Sequence, residues 1–219
     1  MKLALALLVA LLILTGCSSD REYARSICIL VDVSDTYTDQ KTEVVDLVKK
    51  GILPGMLPGD TILVIRIDSE SYEKDNVEAM MTLDTRPSLA NAQKLAFAKK
   101  LNAFAAREDH ASYTDIDGAL MLAADYLRET GAGTQVIVAF SDMKEDLPPG
   151  LHRTLEESEF NDIRVVAANV KKLQRDNMDP AAYRERLDLW EKRVLECGAL
   201  EWRVILDNAK LFEYLDDRV

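Results

Sequence analysis

Short apolar runs of strand length alternate along the chain with segments whose apolar residues recur at helical spacing. Several runs, such as Ile62-Leu63-Val64-Ile65, are continuously apolar, as expected of strands covered on both faces. The predicted strands are 27–33, 61–68, 77–83, 134–141, 163–170 and 201–206, and the predicted helices are 39–53, 88–106, 115–129 and 180–197. This order predicts a doubly wound α/β fold with a mostly parallel six-stranded sheet and helices on both faces.

The length of the connections between these segments predicts the direction of one strand. Residues 69–76 join the second and third strands without a helix, whereas a parallel crossover needs about a dozen residues or more. The third strand is therefore predicted to pair antiparallel with the second, at an edge of the sheet. Residues 143–162 are predicted to form a loop with a short polar helix, and Asp179 and Pro180 are predicted to begin the last helix.

Acidic and hydroxyl residues form three short stretches, of which two lie at the ends of strands and one lies at the start of a helix. Asp32-Val33-Ser34-Asp35-Thr36 comes directly after the apolar run over residues 26–31, and Ser141-Asp142 closes the fourth strand. Thr114-Asp115-Ile116-Asp117 opens the third helix. Because ligands of open α/β sheets bind at the carboxyl ends of the strands, we expect these three stretches to converge there. Their oxygen atoms are the ligands that hard divalent cations prefer.

This pattern resembles the metal-ion-dependent adhesion site of von Willebrand factor A domains, over roughly residues 26–206. The matching positions are Asp32, Ser34, Thr36, Thr114 and Asp142. The resemblance implies that Mg²⁺ or Mn²⁺ binds there, with Ca²⁺ as an alternative, and that the ion grips an acidic side chain of another protein. The family often has Gly after the last Asp and Gly-Gly before the middle Thr. Met143 and Ser112-Tyr113 stand at those places, so the two loops depart from the family pattern.

Each of these residues also has a purely structural explanation. Thr114 and Asp117 have the spacing of a capping box, so an alternative role for Thr114 is to cap the helix. Ser34 and Thr36 are also common loop residues that bond nearby backbone. The neighbouring acids are predicted to be mostly solvated rim charges; these are Asp35, Asp39, Asp115, Asp117 and Asp146. Two aromatic residues near this rim, Tyr113 and Phe160, are candidates for contact with a partner or for packing.

The amino-terminal residues have the pattern of a secretion signal. Lys2 precedes an apolar run over residues 3–14, which is too short to span a bilayer that needs about 20 residues. Leu14-Thr15-Gly16-Cys17 resembles a bacterial lipobox, which implies that Cys17 carries palmitate and other acyl chains. Ser18 resembles the sorting signal for the periplasmic face of the outer membrane. An ordinary signal peptide with an incidental Cys is the alternative.

The predicted organisation has four parts. They are a signal peptide (1–16), a lipidated Cys with a short tether (17–26), a von Willebrand factor A-like domain (27–206) and a carboxyl-terminal tail (207–219). The tail is predicted to include one or two helical turns packed through Leu211, Phe212 and Leu215.

The amino-acid composition limits the kinds of partner and metal site that the chain is expected to have. The net charge of −11 argues against nucleic acid, whose phosphates an acidic surface repels. With two His residues and no Cys-x-x-Cys motif, a zinc site is not expected. Cys28 and Cys197 either pair or remain separate buried thiols, and their positions in a strand and at a helix end favour separate thiols.

Three functions follow from these observations. The first is a membrane-anchored, non-enzymatic module that binds a protein partner through the cation. The second is a scaffold of the same fold that binds its partner by shape, without a metal. The third is a magnesium-dependent hydrolase, which is disfavoured because position 34 is Ser and the Asp-x-Asp pair of aspartyl-phosphate enzymes is missing.

Overall fold

A computed structural model describes residues 21–34, 40–168 and 180–217 of the chain. Its strands are β1 (Arg25–Asp32), β2 (Thr61–Ile67), β3 (Val77–Thr82), β4 (Thr134–Phe140), β5 (Ile163–Ala168) and β6 (Glu201–Ile205). They form one six-stranded sheet in the order β3-β2-β1-β4-β5-β6. All six predicted strands are confirmed, although residues 169 and 170 of the fifth prediction lie outside the described residues.

The sheet is parallel except at one edge. β1 pairs parallel with both β2 and β4, and β4, β5 and β6 continue the parallel order. β3 pairs antiparallel with β2, and an irregularity between Val64 and Ile65 shifts their register. The prediction from the short connection over residues 69–76 is therefore confirmed.

Helices lie on both faces of this sheet. They are α1 (Lys41–Leu47), α2 (Pro87–Ala106), α3 (Ile116–Thr130), α4 (Pro180–Glu196) and α5 (Asn208–Asp216). A π-helical turn (Val48–Ile52) and a further helical turn (Leu53–Gly55) prolong α1, and a 3₁₀ turn (Lys74–Asn76) precedes β3. The four predicted helices and the helix in the tail are confirmed. Of the described residues, none belongs to a helix that is both long enough and apolar enough to cross a bilayer.

Two apolar clusters sandwich the sheet, because alternate residues of each strand point to opposite faces. Ile27 and Ile29 of β1 belong to the cluster beneath α1, α2 and α5. Cys28 and Leu30 belong to the cluster beneath α3 and α4. All eight residues of β1 are buried, which explains why its residues 27–31 are apolar without alternation. Leu211 and Leu215 of α5 are part of the first cluster.

Two sequence expectations are corrected or left open. Residues 143–162 are all described and contain no helix, so the predicted short polar helix is wrong. Pro148 and Pro149 lack backbone N–H donors, and turns fill residues 157–160 instead. Asp179, the predicted cap of α4, lies outside the described residues. The expectation of separate thiols is confirmed, since Cys28 and Cys197 are both free and buried.

The strand order determines where in the sheet the candidate site lies. From β1 the chain builds the sheet outward in one direction through β2 and β3, and from β4 in the other direction through β5 and β6. The carboxyl ends of β1 and β4 therefore flank the topological switch point, where open α/β sheets bind their ligands.

Candidate metal-binding site

Asp32, the last residue of β1, lies at the switch point and is fully buried. Its Oδ1 accepts a hydrogen bond from the backbone N–H of Ser34 at 2.9 Å. Its Oδ2 accepts a hydrogen bond from the Ser141 hydroxyl at 2.6 Å, directly after β4. Neutral donors therefore orient this carboxylate, and its bond to Ser141 joins the first predicted stretch to the third.

A second carboxylate, Asp142, lies beside Asp32 and is also buried. Its Oδ1 accepts a hydrogen bond from the Lys144 backbone N–H at 2.8 Å. Burial raises the pKa of Asp32, the hydrogen bonds from Ser141 and Ser34 oppose that rise, and the charge of Asp142 adds to it. Two neighbouring buried carboxylates repel each other, and a cation held between them would offset that repulsion.

Thr114 brings the second stretch to the same place. Its N–H donates to the carbonyl oxygen of Asp146 at 2.7 Å, and its own carbonyl accepts from the Asp146 N–H at 2.9 Å. Ser34 and Ala111 form an isolated parallel bridge. The loop after β1, the loop before α3 and the loop after β4 are thus joined pairwise.

Of the five predicted ligands, four are placed at this edge of the sheet. Asp32, Ser34, Thr114 and Asp142 are all buried there, and Thr36 lies outside the described residues. Among the described residues, no group of three or more His, Cys, Asp or Glu could hold a metal ion. The predicted ligand set has only two carboxylates and relies on hydroxyls for the remainder. Hydroxyl and carboxylate oxygens are the donors that Mg²⁺ accepts, so the residues present fit such an ion.

The capping role suggested for Thr114 is corrected, because Asp115 is the cap of α3. Its Oδ1 accepts a hydrogen bond from the Gly118 N–H at 2.8 Å, and its Oδ2 accepts one from the Ser71 N–H at 2.8 Å. A Cβ at Gly118 would lie 2.3 Å from Asp115 Oδ2. Only glycine therefore lets this carboxylate fold back over the helix terminus.

Two of the predicted rim charges, Asp115 and Asp117, are fully buried, which corrects the expectation that they are solvated. Asp115 pairs with Arg153 Nη2 at 2.7 Å, and Asp117 pairs with Arg193 of α4. Arg193 also pairs with Glu145 at 3.3 Å, and Glu145 accepts a hydrogen bond from the Asp117 N–H at 3.0 Å. These ion pairs fasten the loop after β4 and the start of α3 to other elements.

Burial and the nearby charge of Glu145 raise the pKa of Asp117 to about 7, although Arg193 opposes the rise. Asp117 Oδ1 is buried without a hydrogen-bond partner. The environment therefore penalises the ionised form of Asp117 more than its ion pair compensates.

Met143 follows Asp142 where the family often has glycine, and its φ of 59° lies in the left-handed region. That conformation favours glycine, so the loop keeps a glycine-like backbone at a residue with a side chain. The Met143 side chain is buried in the second apolar cluster. Its N–H donates to the Ser141 hydroxyl at 3.0 Å, and its carbonyl accepts from Trp190 Nε1 at 2.8 Å.

The remaining rim predictions have mixed outcomes. Phe160 is fully buried in the second apolar cluster, so its suggested partner contact is wrong. Tyr113 is half-buried, and Asp146 is exposed as expected. Asp35 and Asp39 lie outside the described residues.

Sequence reasoning missed three residues that shape the site: Ser141 as a donor to Asp32, and the arginines Arg153 and Arg193. Ser141 belongs to one of the three oxygen-rich stretches, and its place directly after a strand is a usable signal. The two arginines carry no local signal, because each pairs with an acid that is at least 38 residues away in sequence.

Comparisons with known proteins agree with this architecture at the level of the fold. No protein-family model matches the sequence, and no curated protein matches it. Among solved structures, the D319A mutant of the PilB minor pilin from Streptococcus sanguinis has a TM-score of 0.54 at 9% identity. The match covers 92% of this chain and 62% of that one, so the chain spans under two thirds of the pilin.

Two further structures are similar at lower TM-scores. A von Willebrand factor type A protein from Catenulispora acidiphila has a TM-score of 0.47 and 13% identity, over 88% of this chain and 41% of that one. BatB from Bacteroides thetaiotaomicron has a TM-score of 0.45 and 13% identity, over 89% of this chain and 96% of that one. The chain has a von Willebrand factor A-like α/β fold, with the mostly parallel sheet and the antiparallel edge strand that the order and connections of its segments predicted.

Proposed function

We propose that the protein is a membrane-anchored interaction module that binds an acidic side chain of a partner protein through a divalent cation. The observation that carries this proposal is the pairwise joining of three loops around two buried carboxylates, Asp32 and Asp142, at the switch point of the sheet. The von Willebrand factor A-like fold suggests a protein-interaction module, which agrees with this role.

In this proposal the hydroxyls of Ser34, Thr36 and Thr114 and the carboxylates of Asp32 and Asp142 hold Mg²⁺ or Mn²⁺. When bound, the ion would supply the positive charge that attracts a carboxylate of the partner. The chain itself orients the donors. The Ser34 N–H and the Ser141 hydroxyl fix Asp32, and the Lys144 N–H fixes Asp142.

The proposed role is docking and not catalysis. Recognition of this kind makes and breaks no covalent bond, so it needs neither a nucleophile nor a general base. The residue two positions after Asp32 is Ser34, and a hydroxyl there suits a neutral ligand better than the acid of an aspartyl-phosphate enzyme.

The proposed anchor is a lipid on Cys17, held in the outer membrane and facing the periplasm. Its support is the lipobox-like sequence before Cys17 and the Ser that follows it. β1 begins at Arg25, eight residues after Cys17, so an extended tether would reach at most about 30 Å. The cation site would therefore work close to the membrane surface.

Thermal unfolding with and without the ion tests the metal site. A ligand at 100 times its dissociation constant stabilises the native state by about 2.7 kcal/mol, which for a domain of this size raises Tm by roughly 5–10 °C. We expect Mg²⁺ or Mn²⁺ to give such a shift, and Asp32→Ala to abolish it. Asp188→Ala removes an exposed carboxylate of α4 and is the matched control, which should keep the full shift.

Partner capture tests the docking role. If the cation carries binding, a chelator and the Thr114→Ala variant each abolish capture of the partner while the fold is retained. Capture that survives both treatments would support the metal-independent scaffold instead. Metal-dependent release of phosphate from a generic phosphate ester by the wild type, lost in Asp32→Ala, would support the hydrolase.

A further inference from the structure

The outer edge of β6 borders a groove of about 770 Å³, whose other wall is α5. Consecutive residues over 202–206 line this groove. Because side chains alternate between the two faces of a strand, consecutive lining residues indicate that the backbone edge of the strand faces the groove. β6 is the last strand of the sheet, and within the described residues no strand pairs with its outer side.

The β6 strand contains no proline, and its two charged residues, Glu201 and Arg203, have opposite signs, so their net charge does not repel a second strand of the same sequence. Leu200 and Val204 are 61% and 38% exposed there, and Leu206 is 58% exposed. The opposite edge is different, since a register irregularity marks the pairing of β3 with β2. An exposed edge with apolar residues is a template for pairing with another strand.

The backbone contacts show which residues of β6 are available for such pairing. The N–H of Leu200 donates to the carbonyl of Ile163, on the β5 side. Because backbone groups alternate along a strand, Trp202 and Val204 also direct theirs towards β5. Glu201 and Arg203 therefore direct their N–H and carbonyl groups outward. In an antiparallel pair, outward-facing residues lie opposite one another and exchange hydrogen bonds.

Charge selects one register if the added strand is β6 of a second copy. A two-fold axis at Arg203 would place Arg203 opposite itself, and like charges directly opposite are unfavourable. Within one chain Arg203 Nε pairs with Glu201 Oε1. An axis at Trp202 places Glu201 opposite Arg203 of the second copy, and symmetry makes this pair twice, so the four charges would alternate in sign across the interface. The same register places Leu200 opposite Val204, so both exposed apolar side chains would be covered.

The positions of charged residues on the outer face of α5 are compatible with the same two-fold axis. The Tyr214 hydroxyl donates to Glu201 Oε2 at 2.7 Å, and the Tyr214 ring lies 5.1 Å from the Arg203 guanidinium. Tyr214 is therefore level with Trp202 along the strand. Lys210 lies about one helical turn to one side of Tyr214 and Asp217 nearly one turn to the other. Two-fold symmetry then brings Lys210 near Asp217 of the second copy.

We propose that a second copy of this chain occupies the groove, with the two β6 strands pairing antiparallel around Trp202 to form a continuous twelve-stranded sheet. Three features agree on this one register: the Glu201–Arg203 charges, the Leu200–Val204 apolar pair and the level of Tyr214 on α5. The surface lies on the β6 edge and does not depend on the cation site.

Sedimentation equilibrium of the full chain in density-matched detergent tests the proposal. The wild type should be a dimer that dissociates on dilution. Arg203→Glu alone and Glu201→Arg alone should each raise the dissociation constant about tenfold or more, because two symmetric attractions become repulsions. The double variant should restore dimerisation, since the charges are exchanged across the axis. Lys192→Glu, a charge reversal on the exposed side of α4, should leave it unchanged.

Three results would overturn the proposal. They are a wild-type chain that is monomeric at all concentrations, a dimer that both single variants leave unchanged, and a double variant as weak as the single ones. The proposal would also be overturned if the chain is monomeric and binds an unrelated extended peptide at the β6 edge. Thermal melts show whether each variant is folded. If either β6 variant is not, the exchange Lys210→Asp with Asp217→Lys tests the same axis on α5.

Discussion

Ionisation of Asp117 either destabilises or stabilises the folded protein, depending on whether burial or the ion pair with Arg193 has the larger effect. Burial and the charge of Glu145 raise its pKa from 3.8 to about 7, against the attraction of Arg193. An acid whose pKa is raised by folding contributes most to stability below its unfolded pKa. That contribution is lost as the pH rises towards the folded pKa. The loss is about 1.4 kcal/mol per pH unit, or up to about 4 kcal/mol between pH 3.8 and 7.

Asp117→Asn keeps the shape of the side chain and removes its ionisation. Urea unfolding of the variant and the wild type should be compared at pH 5, 6, 7 and 8. The stability of the variant relative to the wild type should rise by about 2–3 kcal/mol from pH 5 to pH 7 and then level off. Other titrating groups are common to both proteins and cancel in this difference. Asp188→Asn makes the same chemical change on the exposed side of α4 and is the matched control.

The opposite trend would refute the reasoning. If the ion pair with Arg193 outweighs burial, ionised Asp117 stabilises the native state. Asp117→Asn would then become progressively less stable than the wild type as the pH rises. A difference that does not change with pH would mean that Asp117 has the same pKa in the folded and unfolded states.

Two further substitutions test the loops around the site. Asp115→Ala should lower the free energy of unfolding by about 3 kcal/mol, because it removes the cap of α3 and leaves Arg153 without its buried acid. Asp125→Ala, a half-exposed acid on the same helix, should cost less than about 1 kcal/mol in the same urea titration. Met143→Gly should also destabilise, by about 2 kcal/mol, because the loss of a buried side chain exceeds the relief of a left-handed backbone. A glycine variant more stable than the wild type would show that backbone strain outweighs the packing of the Met143 side chain.

The order and type of the elements could be predicted from sequence because they depend on local patterns. The continuous apolar run of β1 reflects a strand covered on both faces, and the eight-residue connection before β3 excludes a parallel crossover. The short polar helix predicted within residues 143–162 failed because composition alone could not distinguish a helical turn from an irregular loop. The positions of Asp32 and Asp142 at the carboxyl ends of two predicted strands led to the expectation that they meet.

The surroundings of the site could not be predicted in the same way. Thr114 and Asp117 have capping-box spacing, but the cap is Asp115, because the buried Ser71 N–H and Arg153 both need a partner there. Asp117 has the sequence pattern of a surface acid. It is buried because α4 packs over it and supplies Arg193.

The alternation of strands and helices, the antiparallel edge and the three oxygen-rich stretches can all be derived from the amino-acid sequence, because periodicity and loop length are local properties of the chain. The burial of particular acids, their pairing with arginines and the open strand edge become visible only in the folded protein. Those outcomes depend on contacts between residues far apart in the chain. Burial changes the energy of a charge by several kcal/mol, and no local pattern records it.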